Sequence, residues 1–393
     1  MSIPLKQEIQ KLKEEMIAWR REFHAHPELG MEEKWTSETI ARRLLEFGLA
    51  VKTGVGGTGV VGLIEGASAG RTVLLRADMD ALPIREENEA PYRSGIDGVM
   101  HACGHDGHMA ILLTVAKILS AHRQALRGGI KFVFQPGEEG FGGARFMIAD
   151  GVLAHPRVDA AFALHLIASI PVGMIGVRPG PLMAAMDSFT VRILGKGGHA
   201  AMPEGGVDAI LIGAQAIIAL QSLISREVSP FTPLVVHAGT IRGGNAFNII
   251  AESVEMKGTV RCLDEGLRKS IPERMDRILK GITGALRGSH ELDYQFSYPT
   301  VVNDGAMTEL LKAQAAEVVG REMVIEVPPS MAGDDMAFFL KEVPGCYFFV
   351  GAGNPHKGLN HPHHSSRFDI DEDALVIGAE ALARAAVAFL GAP

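Results

Sequence analysis

The residues best suited to chemistry lie in one nine-residue stretch, 100–108, which contains one thiol, one carboxylate and three imidazoles. All three side-chain types bind borderline metals such as zinc. Cys103 and His105 are two positions apart, so on extended backbone their side chains point to one side, whereas on a helix they diverge. An apolar run at 109–119 follows. We therefore expect a loop that presents Cys103 and His105 and leads into a helix starting at about residue 106, with Asp106 as its N-cap.

A second chemical motif is the acidic pair Glu138 and Glu139, which lies in a turn rich in proline and glycine. Adjacent buried carboxylates repel each other, and either a bound cation or a shared proton relieves the repulsion. A metallohydrolase uses such a pair, one carboxylate to hold metal and the other to take a proton from water. The alternative is a solvated acidic turn. The strand predicted just before the pair favours the metal site.

The remaining candidate ligands are histidines. His165 ends a predicted strand, and a cluster of three, His361, His363 and His364, lies within four positions near the C-terminus. Three imidazoles so close together rarely arise from packing alone, so we expect at least one of them to bind metal. His24 and the nearby His26 are instead interpreted as a polar turn packed on the core.

Two further carboxylates, Asp78 and Asp80, follow a predicted strand and face the same way. Either can bind a metal or orient a ligand histidine from behind it. For Asp78 we favour the simpler interpretation, a cap for the turn before Pro83.

These residues are positioned by an α/β pattern in which short apolar strands alternate with helices. The predicted strands are 72–77, 129–134, 158–164 and 345–350. Ligands of open α/β sheets bind beyond the carboxyl ends of the strands. This rule predicts that six residues distant in sequence meet there: Asp80, Cys103, His105, Glu138, Glu139 and His165.

The middle of the chain differs, because elements at 187–298 follow the order β-α-β-β-α-β of a ferredoxin-like module. Its helix at 208–225 is apolar nearly all round and must be covered on more than one side, for example by a second subunit. His199 lies on a glycine-rich loop, where it can polarise a carbonyl or serve only as a turn residue. Asn248 and Arg261 lie on or beside strands, and Arg261 suits either a substrate carboxylate or a surface ion pair.

Composition limits the class of protein. The 393 residues are enough for two or three domains, and the net charge of -8 comes without a basic patch, which argues against nucleic acid. No uninterrupted apolar stretch reaches the ~18 residues of a membrane span. The Lys/Glu-rich N-terminus is amphipathic and unlike a secretory signal. Three cysteines indicate a reducing compartment, so we predict a cytoplasmic protein.

Together these motifs resemble the aminoacylase-like metallo-amidohydrolases, and more narrowly the branch of hippurate hydrolases, N-acyl-L-amino acid deacylases and auxin-conjugate hydrolases. The resemblance covers nearly the full chain and rests on residues 76–83, 101–108, 135–140 and 197–203. It implies a zinc-peptidase-like α/β catalytic domain, formed by 1–186 and 300–393, with a mostly parallel central sheet. A ferredoxin-like lid and dimerisation domain, 187–299, is inserted into it.

The resemblance also implies two divalent metal ions per subunit, chosen from zinc, manganese, cobalt and nickel. Their ligands would be Cys103, His105, Glu139, His165 and His364. His364 is selected because it lies four residues before Phe368, although His363 stays open as the last ligand. The wider superfamily has histidine at the position of Asp78, so Asp78 is not expected to bind metal.

The remaining roles follow the same resemblance. Glu138 would be the general base and Asp80 a carboxylate behind the ligands. His199 would help bind the oxyanion, either in its own site or in the partner subunit's site, and Asn248 and Arg261 would contact the substrate carboxylate.

The predicted activity is metal-dependent hydrolysis of an N-acyl-L-amino acid, hippurate-like or N-acetylated. We expect a homodimer or higher homo-oligomer, formed through the lid domain, with no nucleic-acid or membrane partner. One alternative is a dipeptidase or carboxypeptidase of the same superfamily. A second is a cysteine hydrolase with Cys103 as nucleophile. The third is a non-catalytic relative that binds metal or peptide.

Overall fold

The computed structural model describes residues 3–391, which form two compact units. The first unit runs to Gly180 and also contains Val302–Pro328 and the segment from Asp335 onward. The second unit consists of Pro181–Val301 and Pro329–Asp334. The domain limits proposed from the sequence, at 186/187 and 299/300, stay predictions.

The helices are numbered in chain order: α1 Leu5–Lys11, α2 Lys13–Ala25, α3 Lys34–Glu46, α4 His105–Ala121, α5 Gly143–Ala149, α6 Ala209–Ser222, α7 Glu265–Ala285, α8 Gly305–Val319, α9 Met336–Glu342 and α10 Asp373–Gly391.

The strands are β1 Ala50–Val55, β2 Gly59–Glu65, β3 Ser68–Asp78, β4 Arg127–Gln135, β5 Ala160–Pro171, β6 Ile175–Val177, β7 Gly180–Met183, β8 Ala185–Leu194, β9 Gly198–His199, β10 Leu234–Gly243, β11 Ile249–Ile250, β12 Ser253–Cys262, β13 Ser289–Tyr298, β14 Val301–Asn303, β15 Val324–Glu326 and β16 Gly345–Gly353.

The first unit is built on an eight-stranded sheet with the order β1-β2-β4-β3-β5-β16-β6-β15. Its centre is parallel, since β3 pairs in parallel with β4 and β5, and β5 with β16. Strands β1, β2 and β4 pair antiparallel at one side. This confirms the predicted α/β fold with a mostly parallel central sheet. The four strands predicted from apolar runs are all present, whereas β1 and β2 were not predicted.

The helix after the metal-rich loop, α4, begins at His105 with Gly104 in the left-handed conformation at φ 91° before it. The N-cap prediction for Asp106 was wrong. This carboxylate is fully buried and accepts hydrogen bonds from Arg20 Nε at 2.8 Å and from His24 Nδ1 at 2.7 Å. Glycine supplies the turn that starts the helix, so the aspartate is free to hold a buried arginine.

The amino-terminal region forms three helices, with a break at Leu12 between α1 and α2. Helix α2 continues through Ala25, so His24 lies on a helix and not in a turn. His26 follows the helix and stacks on the Trp35 ring at 4.5 Å. The apolar face of the amphipathic N-terminal segment is buried in the core of the first unit.

The second unit has an antiparallel sheet in the order β10-β12-β8-β13, the arrangement of a ferredoxin-like module. Helix α6 buries Ile212, Ala216 and Leu220 in the core of this unit. Its opposite face leaves Ile218 72% exposed.

Two helical segments, Ala209–Glu227 and Asp373–Gly391, are long and apolar enough by composition to cross a membrane. The second is mostly buried in the first unit, and the first packs one face on the ferredoxin-like sheet. Helices of protein cores pass the same test of length and hydropathy.

Candidate metal centre

The carboxyl ends of β3 and β4, the middle of β5 and the loop before α4 bring the predicted ligands together. The prediction that His165 ends its strand was wrong, because β5 continues beyond it to Pro171. Three groups of side chains each place donor atoms within 4.8 Å of one another: Cys103 with Glu139 and His364, Cys103 with His165 and His363, and His105 with Glu138 and Glu139. Cys103 belongs to two of the groups. The arrangement therefore fits a pair of cations with the Cys103 thiolate among their ligands.

The surroundings of Cys103 suit a metal ligand and not a nucleophile. Its sulfur lies 3.5 Å from His165 Nε2. Burial, and next the carboxylates of Glu139 and Glu138, raise the pKa of the thiol well above its usual value. Nucleophilic cysteines need the opposite shift. A thiolate at this position requires a nearby cation, which argues against the cysteine-hydrolase alternative.

His105 presents one ring nitrogen for a metal. Its Nδ1–H donates to the carbonyl of Asp80 at 2.8 Å, which fixes the tautomer. Its Nε2 is buried, with no hydrogen-bond partner among residues 3–391. Burial opposes charge on this ring, but Asp78 and Asp80 outweigh it and raise its pKa to about 10. A divalent ion at Nε2 would supply the positive charge that these carboxylates favour.

Asp80 organises the acidic turn from behind. Its two carboxylate oxygens accept the backbone N–H groups of Glu138 and Glu139 at 3.0 and 2.9 Å. It also lies 3.4 Å from His105 Nδ1. Asp80 thus contacts both the acidic turn and the candidate ligand His105. It is suited to hold these ligands in position without binding metal itself.

The two glutamates of the acidic turn differ in how far they are exposed to solvent. The Glu138 residue is 6% exposed, and Glu139 is partly buried. Glu139 Oε1 lies 3.2 Å from His364 Nε2 and makes no well-aligned hydrogen bond within the described chain. An oxygen of this kind, directed at an imidazole across a gap, is suited to share a cation.

His363 and His364 both approach Cys103, so the structure leaves two candidates for the last ligand. His364 adopts φ 63°, an unfavourable conformation for a residue with a Cβ. His363 accepts a hydrogen bond from the Ala168 N–H through Nε2 at 3.3 Å, and its buried Nδ1 has no partner among the described residues. Burial lowers the pKa of His363 to about 3.

His165 is held neutral, as a metal ligand must be. Burial, followed by the neighbouring rings of His108 and His363, lowers its pKa well below the usual value. Its Nδ1–H donates to the carbonyl of Leu166 at 2.8 Å, so Nε2 faces the Cys103 sulfur as an acceptor.

A buried polar chain behind the ligands was not predicted from the sequence. His108 Nδ1–H donates to Asp78 at 2.6 Å, while His108 Nε2 accepts the Leu166 N–H at 3.0 Å. Asp78 therefore does not cap the turn before Pro83. Burial opposes its charge, but Arg76 and the two histidines hold its pKa well below the usual range. The i, i+3 spacing of His105 and His108 was the available signal for this chain.

The second unit contains the other three predicted site residues. His199 lies on β9, which pairs with β11, and Ala200 N–H donates to the carbonyl of Asn248 at 3.2 Å. The structure therefore brings His199 next to Asn248. His199 Nδ1 accepts the Ala201 N–H at 3.0 Å, which leaves Nε2–H of the neutral ring as a donor.

Arg261 lies apart from these two residues, on β12 opposite Met186 and Val235. The nearby carboxylate of Asp187 is already taken by Arg268, at 2.6 and 2.9 Å, and by Tyr294. Burial lowers the pKa of the Arg261 guanidinium. Arg261 is half-buried, and the Asp187 carboxylate near it is already hydrogen-bonded to other residues. Its guanidinium is therefore suited to bind a substrate carboxylate.

Comparison with known proteins defines the class. Residues 74–388 match Peptidase family M20/M25/M40. The chain is 46% identical over 300 residues to the N-acyl-L-amino acid amidohydrolase of Geobacillus stearothermophilus, covering 76% of this chain and 80% of that protein. It is 40% identical over 389 residues to thermostable carboxypeptidase 1 of Saccharolobus solfataricus, covering 98% of each.

The fold has close structural relatives as well. A crystal structure of the Bacillus subtilis YXEP protein, titled a dinuclear metal binding peptidase from the M20 family, superposes with a TM-score of 0.84 at 34% identity. The match covers 97% of this chain and 99% of that one. The chain belongs to Peptidase family M20/M25/M40. The resemblance drawn from its motifs and the prediction of a metallohydrolase that acts on amide bonds are confirmed, while the roles of individual residues stay predictions.

Proposed function

We propose that the protein hydrolyses N-acyl-L-amino acids to a carboxylate and a free amino acid. The observation that carries this proposal is the Cys103 thiol, which belongs to two ligand groups next to the buried Glu138. The relative from Geobacillus stearothermophilus is named for the same reaction. The carboxypeptidase relative at 40% identity favours a second candidate, release of the C-terminal residue of a peptide.

Two divalent ions would complete the site. Their ligands would be Cys103, His105, Glu139, His165 and a last histidine, His364 or His363. The donor set of sulfur, imidazole and carboxylate suits zinc, manganese, cobalt or nickel. When bound, such a pair supplies Lewis acidity, which polarises the amide carbonyl and acidifies a water molecule.

The protein's own residues would move the protons. Glu138 would take a proton from the attacking water and return it to the leaving amine. Asp80 holds the backbone of this turn through two N–H groups, so the Glu138 side chain starts from a fixed position. His108 accepts the backbone N–H of Leu166 and so holds β5 next to His165. Preorganised groups of this kind lose little entropy during the reaction.

Residues of the second unit would bind the substrate. His199, with Nε2–H as donor, would stabilise negative charge on the amide oxygen. Asn248 and Arg261 would contact the substrate carboxylate, Arg261 through charge-assisted hydrogen bonds. A site that requires this carboxylate would reject an N-acyl amine that lacks it.

We further propose a cytoplasmic homodimer that acts on small molecules and not on nucleic acid or membranes. The exposed face of α6 supports the dimer, since Ile210, Leu211 and Ile218 are 46%, 51% and 72% exposed. Exposed apolar side chains grouped on one helix are typical of a subunit interface. The three cysteines are free and buried, which suits a reducing compartment.

The experiment that tests the proposed function is Glu138→Gln. We expect hydrolysis of N-acetyl- and N-benzoyl-amino acids to fall about 10²–10⁴-fold, the usual contribution of a general base. Metal content, measured by mass spectrometry of the desalted protein, should stay at the wild-type value. Glu309→Gln, at an exposed position on α8, is the matched control and should keep full activity.

Full turnover in Glu138→Gln would remove the general-base role, and loss of bound metal would instead place Glu138 among the ligands. The two candidate substrates separate in the same assay. If blocked peptides turn over at least ten times faster than acyl-amino acids of equal size, the carboxypeptidase candidate replaces the first.

A further inference from the structure

A second cavity in the first unit lies on the flank of the sheet. It has a volume of about 330 Å³ and is bordered by β1, β2, β4 and the loop after α5. Lys131 on β4 is four residues before Gln135, the end of that strand, which corresponds to about 13 Å of extended chain. The cavity is therefore distinct from the metal centre at the strand ends.

The notable group in this cavity is the Lys131 amine. The residue is 3% exposed, and its Nζ donates one hydrogen bond to the carbonyl of Val152 at 2.7 Å. An ammonium has three donors, so two N–H groups are left for a ligand. No carboxylate of the described chain lies within ion-pair distance of Nζ. Buried lysines without a counterion are rare in folded proteins.

Other charged groups around the cavity do not neutralise Lys131. Lys52 and His155 also line it. Asp150 is the one acid in the lining, and its carboxylate accepts the Gly56 N–H at 2.7 Å. Burial, with the nearby charge of Lys52, lowers the pKa of Lys131 to about 8. The lining therefore lacks negative charge at the point where an ammonium is buried.

The rest of the lining is apolar and includes Val51, Val61 and Leu63. We infer that this cavity is a binding site for a small monocarboxylate with an apolar body, separate from the metal centre. The carboxylate accepts hydrogen bonds from the Lys131 ammonium, and the apolar body packs against the three aliphatic side chains. The volume is at the lower end of the range for small-molecule sites, about 300–1,000 Å³, and suits one small acid better than a peptide.

Benzoate is the probe, and competitive labelling of lysines tests the inference on the metal-loaded full chain. A trace amount of acetic anhydride is added at pH values from 6.5 to 10.5, and acetylation of Lys131 is measured by peptide mass spectrometry. Without benzoate, labelling of Lys131 should rise with a midpoint at about pH 8. Saturating benzoate should slow it at least fivefold and move the midpoint upward, while the exposed Lys269 is unaffected.

Neutral benzamide, which has the same shape, should give no protection, and acetate should protect only at much higher concentration. Benzoate that leaves Lys131 labelling unchanged overturns the inference. Equal slowing of Lys131 and Lys269 overturns it too, because it shows only an effect on the reagent.

A pair of variants separates this site from the catalytic one. Lys131→Met should bind one equivalent of benzoate fewer than wild type, as measured by calorimetry, and amide hydrolysis should remain within twofold of wild type. Lys52 is exposed at the rim of the cavity, so Lys52→Met changes no buried side chain. It should weaken the protection of Lys131 by benzoate about threefold. Benzoate binding that is identical in wild type and Lys131→Met overturns the inference whether or not hydrolysis is observed.

Discussion

At neutral pH and without a bound cation, Cys103 and His105 in the metal centre each hold a proton that a metal ligand must lose. The pKa of Cys103 is raised by burial and carboxylates, so the thiol keeps its proton. The pKa of His105 is raised to about 10 by Asp78 and Asp80, despite burial, so the ring holds an extra proton. Divalent ions would displace both protons, and metal binding should therefore release protons and tighten as the pH rises.

Cys103 and His105 could be predicted from the sequence because they lie in one short stretch rich in metal-binding residue types. The sequence could not distinguish His363 from His364, since both lie in one loop and backbone conformation decides which ring reaches the sulfur. It also gave His108 no role. The hydrogen bond from Leu166 depends on strand β5 passing α4, which spacing along the chain does not reveal.

His24 provides a pH-dependent prediction at this scale. Burial opposes its charge, but Asp106 and Glu86 raise its pKa to about 9. Because the pKa in the folded state exceeds the unfolded value, its stabilisation is complete below about pH 6.5 and is lost as the pH rises through about 9. The free energy of unfolding of wild type minus that of His24→Gln should fall by about 3 kcal/mol between pH 6 and pH 10.

Urea unfolding at the two pH values, at fixed metal concentration, measures this difference. Other titrating groups contribute nearly equally to both proteins and cancel. A difference that stays constant from pH 6 to pH 10 would contradict the assignment of a charged His24.

At the scale of elements, apolar runs predicted the buried parallel strands well, because such strands are covered on both faces and read as continuous hydrophobic segments. Strand β1 lies at the sheet edge with a mostly exposed burial pattern, and β2 contains two glycines. Neither has the continuous apolar signal. The start of α4 was misplaced for a different reason: Gly104 makes the turn, so no side-chain cap was needed.

The contact of α4 with β5 at Leu166 gives a prediction for Gly107. A Cβ there would lie 2.5 Å from a methyl of Leu166 and 3.2 and 3.3 Å from Leu375 and Ile370, all buried. Overpacking of this kind costs about 1–3 kcal/mol, which exceeds the gain in helix propensity. Gly107→Ala should therefore lower the free energy of unfolding and weaken metal binding, since Leu166 follows the candidate ligand His165.

Gly281→Ala is the matched control, because Gly281 lies within helix α7 and a Cβ there would meet nothing within 4 Å. This variant should gain about 0.5–1 kcal/mol. Urea unfolding followed by circular dichroism measures both changes. If Gly107→Ala is as stable as wild type, the close packing of α4 on Leu166 is not as described.

At the scale of the whole molecule, the order of elements was enough to predict a ferredoxin-like module within an α/β chain. The short segment Pro329–Asp334, which joins the second unit, was not predicted. Such a segment has no periodic pattern, and its partners are distant in sequence. The oligomeric state also depends on which surfaces of two subunits meet. A single sequence does not show this, so the dimer stays a prediction.

The exposed face of α6 tests the predicted dimer. Ile218→Asp places a charge on the exposed apolar face and should convert a dimer into a monomer of 42.0 kDa, as measured by light scattering during gel filtration. Leu45→Asp, at a residue 60% exposed on α3 of the first unit, should leave the mass unchanged. A wild-type protein that elutes as a monomer at micromolar concentration would contradict the prediction.

The central claim is that the chain becomes a hydrolase when two cations bind at Cys103 and the residues around it, and a metal titration tests it most directly. Protein stripped by a chelator is assayed for release of the amino acid while zinc or manganese is added in fractions of one equivalent. The account predicts no turnover without metal, a maximum at two equivalents per chain, and binding of at most one tight equivalent by Cys103→Ala, without activity. Turnover by the stripped protein, or two tightly bound ions in Cys103→Ala, would contradict it.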